Sequence, residues 1–225
     1  MMSSKAHVVQ SLANIEKVYS ALIMTTNVDN TTPQIITWKN YRPGILSNIS
    51  YPREYQILVD TSQYSYLMKD NSFFQFYFSY DEKEVLTKCR LAYYPAPAFT
   101  KESAENIEEY RSSATDWLCD ILDEVTIDML ENDTKLTQNS HIRFDYDSEV
   151  KSHSKCHLQF GGINDFRISS RKLVLPFAFF TKIISDFHPN WLSEAKSPKV
   201  KDASLRHGVN NAYSFTENDL FIITV

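Results

Sequence analysis

Apolar residues along this chain recur with two periods. Residues 8–23 carry Val9, Leu12, Ile15, Val18, Tyr19 and Leu22 at three- and four-residue spacing, which predicts an amphipathic helix with a core-facing stripe. Residues 176–187 predict a second. Pro176 suits its first position, Phe177, Phe180, Ile183, Ile184 and Phe187 form its buried stripe, and His188-Pro189 end it. Residues 101–131 predict a third, as one long helix or two broken near Ser112-Ser113. Thr100 serves as N-cap, Glu102 sits in the first turn, and a stripe runs from Ile107 and Tyr110 to Trp117, Leu118, Ile121, Leu122 and Val125.

The other period is two. Phe74, Phe76, Phe78 and Tyr80 share one face of an aromatic strand, and Phe73, Gln75, Tyr77 and Ser79 the other. A polar connection leads to a second strand, 88–94, which Pro95 and Pro97 end, so 73–94 reads as a hairpin. Residues 142–147 and 155–160 alternate strictly, apolar at even and polar at odd positions, and predict an antiparallel hairpin joined by a loop at 148–154. Phe166-Arg167-Ile168 adds a short strand, and strand-like pieces are expected at 35–38, 55–59 and 220–225. Residues 192–210 read as a polar, locally basic loop. The fold class expected is α+β: a mostly antiparallel sheet built from hairpins, with three or four helices packed on its apolar face, in a single domain over residues 1–225.

Composition narrows the function classes. The chain has 225 residues, 43% hydrophobic and 23% charged, which excludes wholesale disorder. Only four residues are glycine, and none falls in a G-x-G-x-x-G or P-loop pattern, so dinucleotide and P-loop nucleotide binding are excluded. The net charge of −5 argues against general duplex binding through phosphate neutralisation and leaves room for a local basic face. Cys89, Cys119 and Cys156 are odd in number and lack C-x-x-C spacing, which reads as free thiols of a reducing compartment. No apolar signal segment opens the chain and no apolar run approaches 18 residues, so a soluble cytoplasmic protein with no membrane partner is expected.

The polar face of the 142–160 hairpin holds the candidate chemistry. Alternation sets Arg143, Asp145 and Asp147 on one side of the first strand and Lys155, His157 and Gln159 on the matching side of the second; His153 precedes that strand and can fold over the same edge. Guanidinium, carboxylate and imidazoles are the parts for phosphate-ester chemistry without a metal or other cofactor. One histidine acts as base, another as acid, and Arg143 stabilises the charge at phosphorus. Arg90, opposite in parity to Cys89, Leu91 and Tyr93, and Arg167 could join it as an anion site. The plainer alternative is a solvated face whose arginines and carboxylates pair, worth about 0–1 kcal/mol. A zinc site at His153, Cys156 and His157 is disfavoured because alternation turns Cys156 inward, and a divalent site at Asp145 and Asp147 is a further alternative. The aromatic run at 73–80 reads as core before it reads as a base-stacking surface.

The segments Cys89-Arg90-Leu91-Ala92-Tyr93-Tyr94-Pro95-Ala96-Pro97, Arg143-Phe144-Asp145, His153-Ser154-Lys155-Cys156-His157-Leu158 and Arg167-Ile168, followed by the aromatic helix, occur in the order of a known pattern. This stretch, about 73–190, resembles the bacterial DUF2290 family of proteins of unknown function; Ser154 stands where that family's pattern has proline. The R-[FY]-D and H-x-x-x-H order is more distantly similar to small toxin proteins of bacterial toxin–antitoxin pairs. The resemblance implies an effector of a defence or mobile-element locus. Joined to the residue chemistry, it gives two expectations. One is a metal-independent nuclease or phosphoester-acting enzyme, with His153, His157, Arg143 and Asp145 catalytic, Arg90, Arg167, Lys155 and Gln159 binding the ligand, and RNA or another single-stranded nucleic acid as partner. The other is a non-catalytic subunit or adaptor that binds a protein encoded in the same operon.

Overall fold

A computed structural model describes residues 5–43, 51–97, 140–161 and 167–194, together with residues 127, 131, 202, 206 and 213–214. The first half runs α1 (Lys5–Tyr19), β1 (Ile23–Thr26), β2 (Val28–Asp29), β3 (Ile35–Trp38), α2 (Tyr51–Asp60), β4 (Tyr66–Met68), β5 (Phe73–Tyr80) and β6 (Leu86–Tyr94). The second runs β7 (Ile142–Asp147), β8 (Cys156–Phe160), β9 (Arg167–Ser169), β10 (Lys172–Leu173), α3 (Pro176–Phe187), a 3-10 turn at Pro189–Glu194 and β11 (Tyr213–Ser214).

Among the described residues, β1 to β9 make one antiparallel sheet in the spatial order β1-β4-β5-β6-β7-β8-β9. The aromatic run β5 is its spine. One edge of β5 pairs along its length with β6; the other is shared by β4 at Phe73 and Phe74 and by β3 at Phe78 and Ser79. The α+β class follows, and the hairpins at 73–94 and 142–160 form as their alternation predicts.

Parity then sorts the side chains. Phe74, Phe76, Phe78, Leu91 and Tyr93 face the main core against Leu12, Ile15 and Tyr19 of α1 and Phe177, Phe180 and Ile184 of α3. Phe180 is fully buried, with its ring 4.4 Å from Phe74 and 5.0 Å from Tyr19; each such side chain contributes about 1.5–3 kcal/mol relative to exposure. The N-terminus of α3 has no side-chain cap of its own, and the Phe177 N–H donates instead to Ser11 Oγ of α1 at 2.8 Å. Tyr19 and Thr181 share a second hydrogen bond between these helices at 3.0 Å, so the buried hydroxyls of Ser11, Tyr19 and Thr181 are all partnered.

The strand expected at 55–59 is instead part of helix α2. Ile57-Leu58-Val59 suits a strand by composition, but Tyr51, Tyr55, Leu58 and Val59 also fall on one helical face. That face packs on Phe73 and Tyr94, which point away from the main core. Pro52 lies in the first turn, where its missing N–H breaks no helical bond. The Tyr51 hydroxyl donates to Pro95 O and that of Tyr55 to Asn71 O, pinning α2 across the polar side of the sheet. The helix expected at 8–23 ends at Tyr19, and Ile23 opens β1. The helix expected at 101–131 lies outside the described residues except for Ile127 and Glu131, as do the strand expected at 220–225 and most of 195–210. Among the described residues no helix is long and apolar enough to cross a membrane.

Candidate functional site

Strand register assembles the polar face into rows. One row reads Tyr77, Arg90, Asp145, His157 and Ser169 across β5 to β9. The next reads Gln75, Ala92, Arg143, Gln159 and Arg167, and a third begins Ser79, Lys88 and Asp147. Directly opposed residues stand about 4.5–5.5 Å apart at Cβ, so residues distant in sequence become neighbours here.

These rows floor a hollow of about 510 Å³, walled by Trp38, Tyr41 and Tyr77 on one side and by His153 and His157 on the other. Tyr41 stacks on Tyr77 at 5.1 Å and meets Trp38 edge-on at 5.1 Å. Lys88, Arg90, Arg143 and Arg167 line the hollow against two carboxylates, Asp145 and Asp147, a surplus of two positive charges in a chain of net charge −5. Asp145 is the centre of the charge network. Its Oδ2 accepts from Arg143 Nε at 2.8 Å and Nη2 at 2.7 Å, and its Oδ1 lies 3.5 Å from Arg90 Nε. Arg143 Nη2 also donates to Gln159 Oε1 at 3.1 Å. Arg90 Nε and Asp145 Oδ1 are buried without a hydrogen bond, and the two terminal nitrogens of Arg90 make none to the described residues. That guanidinium therefore retains donors for an anion. At the outer end Lys88 holds Asp147 at 3.2 Å, and this carboxyl titrates below its usual range: hydrogen bonds from Glu149 N–H and Lys88 together outweigh the opposing effect of burial, the largest single contribution.

The two imidazoles converge on one acceptor. His153 Nδ1 lies 2.9 Å and His157 Nδ1 3.1 Å from the Ser154 carbonyl oxygen, and the rings meet edge-to-face at 4.8 Å. A carbonyl only accepts, so each Nδ1 carries a proton, and proton exchange at either ring is left to Nε2. His157 is 4% exposed, far less than outward alternation alone implies. Burial lowers its pKa below 6.5; the opposing pull of Asp145 is smaller, and His153 and Arg167 push the same way as burial. His157 is thus neutral near pH 7, the form a general base requires.

Of the residues singled out from sequence, Arg90, Arg143, Asp145, His153, His157, Gln159 and Arg167 line this one hollow, while Lys155 is exposed and does not. Cys156 is fully buried in the main core, on the opposite side from His157, so His153, Cys156 and His157 do not converge. Asp145 and Asp147 are occupied by arginine and lysine rather than turned to a common point, and among the described residues no three His, Cys, Asp or Glu side chains group to hold a metal. Sequence reasoning missed the aromatic wall. Tyr77 was readable from its parity with Gln75; Trp38 and Tyr41 come from a segment that only the β3–β5 pairing delivers to the site.

Comparison with family models matches residues 18–224 to a family described as "Uncharacterized conserved protein (DUF2290)". The match takes in every strand of the main sheet and every residue of the hollow. No curated protein and no solved structure matches the chain.

Proposed function

The chain belongs to the DUF2290 family, and we propose that its polar sheet face binds and cleaves phosphodiesters of single-stranded RNA, in the defence or mobile-element setting that the sequence resemblance implies. One observation carries the reading: Arg90, Arg143, Arg167 and the paired imidazoles of His153 and His157 line a single hollow with an aromatic wall. Cations place a phosphate, aromatic faces stack bases, and two imidazoles supply the proton traffic.

RNA fits best because it brings its own nucleophile. The neutral Nε2 of His157 takes the 2′-hydroxyl proton as that oxygen attacks phosphorus. His153, in its doubly protonated form, gives its Nε2 proton to the departing 5′-oxygen while its Nδ1–H stays on the Ser154 carbonyl, and the products are a cyclic phosphate and a 5′-hydroxyl. Arg90 and Arg143 stabilise the charge gathering on the non-bridging oxygens, and Asp145 holds both guanidiniums in place. The four cationic side chains confine affinity to this face of an acidic protein.

The test is cleavage of a labelled RNA oligonucleotide in the presence of a chelator. His157→Asn keeps a donor for the Ser154 carbonyl and removes Nε2; a loss of about 10²–10⁴-fold in turnover with an unchanged melting temperature is expected. Turnover that merely tracks the folded fraction makes the residue structural. RNA binding without turnover leaves the protein as a nucleic-acid-binding component of a larger complex, and absence of both overturns the proposal.

A further inference from the structure

Helix α2 roofs a second hollow, of about 250 Å³, which shares Trp38, Tyr41, Arg90 and Arg143 with the first. Ile57 and Leu58 of α2 and Tyr94 of β6 supply apolar walls. The space is large enough for one planar ring system.

Its polar equipment is unusual. Gln75 lies in this wall and is 3% exposed. Its Nε2 donates to Gln63 O at 2.7 Å; because a carbonyl only accepts, this fixes the amide orientation and leaves Oε1 as the second polar atom. No hydrogen bond from the described residues reaches that oxygen, and it is not among the sealed, unpartnered side-chain atoms, so it is open to the space of the hollow. Two neighbouring polar side chains are already committed, while Arg42 adds a further guanidinium to the lining. Gln63 Oε1 accepts from Trp38 Nε1 and Arg42 N–H, and Glu54 faces Tyr94 and His141. The hollow thus presents one open amide acceptor between apolar walls, beside Arg90 and Arg143, which also line the larger groove, with Arg42 and Glu54 on the same lining.

We propose that this hollow is a base slot: it takes a nucleobase bearing an exocyclic amino group, which donates to Gln75 Oε1, while the attached phosphate rests on Arg90 and Arg143. The inference rests on the phosphoester reading above and specifies its substrate, a nucleotide read at one base. A body that is flat and apolar, carries an N–H donor and is joined to an anion is a nucleoside monophosphate unit. A bare phosphate or sugar phosphate leaves the acceptor unpaired and the apolar walls uncovered.

The experiment is calorimetric titration with adenosine 5′-monophosphate, purine riboside 5′-monophosphate (the same molecule without the amino group), ribose 5-phosphate and adenosine. Adenosine 5′-monophosphate is expected to bind about 3–10-fold more tightly than purine riboside 5′-monophosphate, the worth of one hydrogen bond, and more tightly still than ribose 5-phosphate. Ile57→Trp fills the slot from the flank of α2 and is expected to lower adenosine 5′-monophosphate to the level of ribose 5-phosphate, whose own binding stays unchanged. Equal binding of the first three ligands to the native protein overturns the slot and spares the phosphoester reading. Adenosine bound as tightly as its monophosphate sinks the phosphoester reading and keeps the slot, and binding of none of the four overturns both.

Discussion

Asp145→Ala separates stability from anion binding with opposite signs. Asp145 receives two contacts from Arg143 below 3 Å and one from Arg90 at 3.5 Å, with 17% of its side chain exposed. Breaking a fully buried ion pair costs about 3–5 kcal/mol, and partial solvation of this one places the loss at roughly 2–3 kcal/mol. For a chain of this length that lowers the melting temperature by roughly 4–12 °C. Over the same change the positive surplus of the hollow rises from two to three. A carboxylate about 6 Å from a bound phosphate, at an effective dielectric between protein surface and water, repels it by roughly 1–2 kcal/mol. The variant should therefore bind an RNA oligonucleotide roughly 5–30-fold more tightly while being less stable, and its affinity should fall more steeply with salt. Fluorescence anisotropy across a salt series, beside thermal melts, reads both quantities. Cleavage should drop even as binding rises, because Arg90 and Arg143 lose the group that orients them. An affinity that falls with stability, or does not move at any salt concentration, refutes the anion-site argument and leaves an ordinary surface ion network.

Other expectations are independent of one another. The lowered pKa of His157 means that the unfolded chain binds the proton more readily than the native one, so stability is full above pH 6.5 and declines as pH falls through the native value; urea titrations between pH 5 and 8 should show this slope, and His157→Asn should flatten it. The same group sets the acid limb of the cleavage profile, so half-maximal activity on that limb should lie below pH 6.5. Phe180→Ala opens the main core where rings of Tyr19, Tyr66 and Phe74 meet, and chemical denaturation should show a loss of about 3–5 kcal/mol. Gly161→Ala places a Cβ 2.7–3.0 Å from the His141 ring, which packs on Tyr94 at 4.8 Å; a destabilisation of about 1–3 kcal/mol is expected, and normal stability would show that the ring yields freely.

What could be read from sequence follows from which contacts are local. Strict alternation in 142–147 and 156–160 with a short loop leaves almost one way to pair the strands, and Asp145 meets His157 as that pattern requires. Helix α3 was equally legible, because Pro176 and the Phe177–Phe180–Ile184 stripe agree. Helix α2 was not: its ten residues hold both a β-prone triplet and a helical apolar face, and the decision falls to Phe73 and Tyr94, which lie more than ten residues away. The burial of His157 was hidden for a similar reason. Alternation shows which side a residue takes, but the covering of that side by the His153 loop and the aromatic wall depends on contacts made across the sheet.

The peptide oxygen of Ser154 has a consequence for how this site can change. Both imidazoles hang from it, so a movement of this amide reorients the two rings together. Any one-residue insertion between Asp147 and Cys156, or any substitution that swings that amide plane, shifts base and acid together. Such a hub makes the pair an all-or-none unit: variation in the connecting loop should yield proteins with both rings poised or with neither, and few intermediates for selection to climb through.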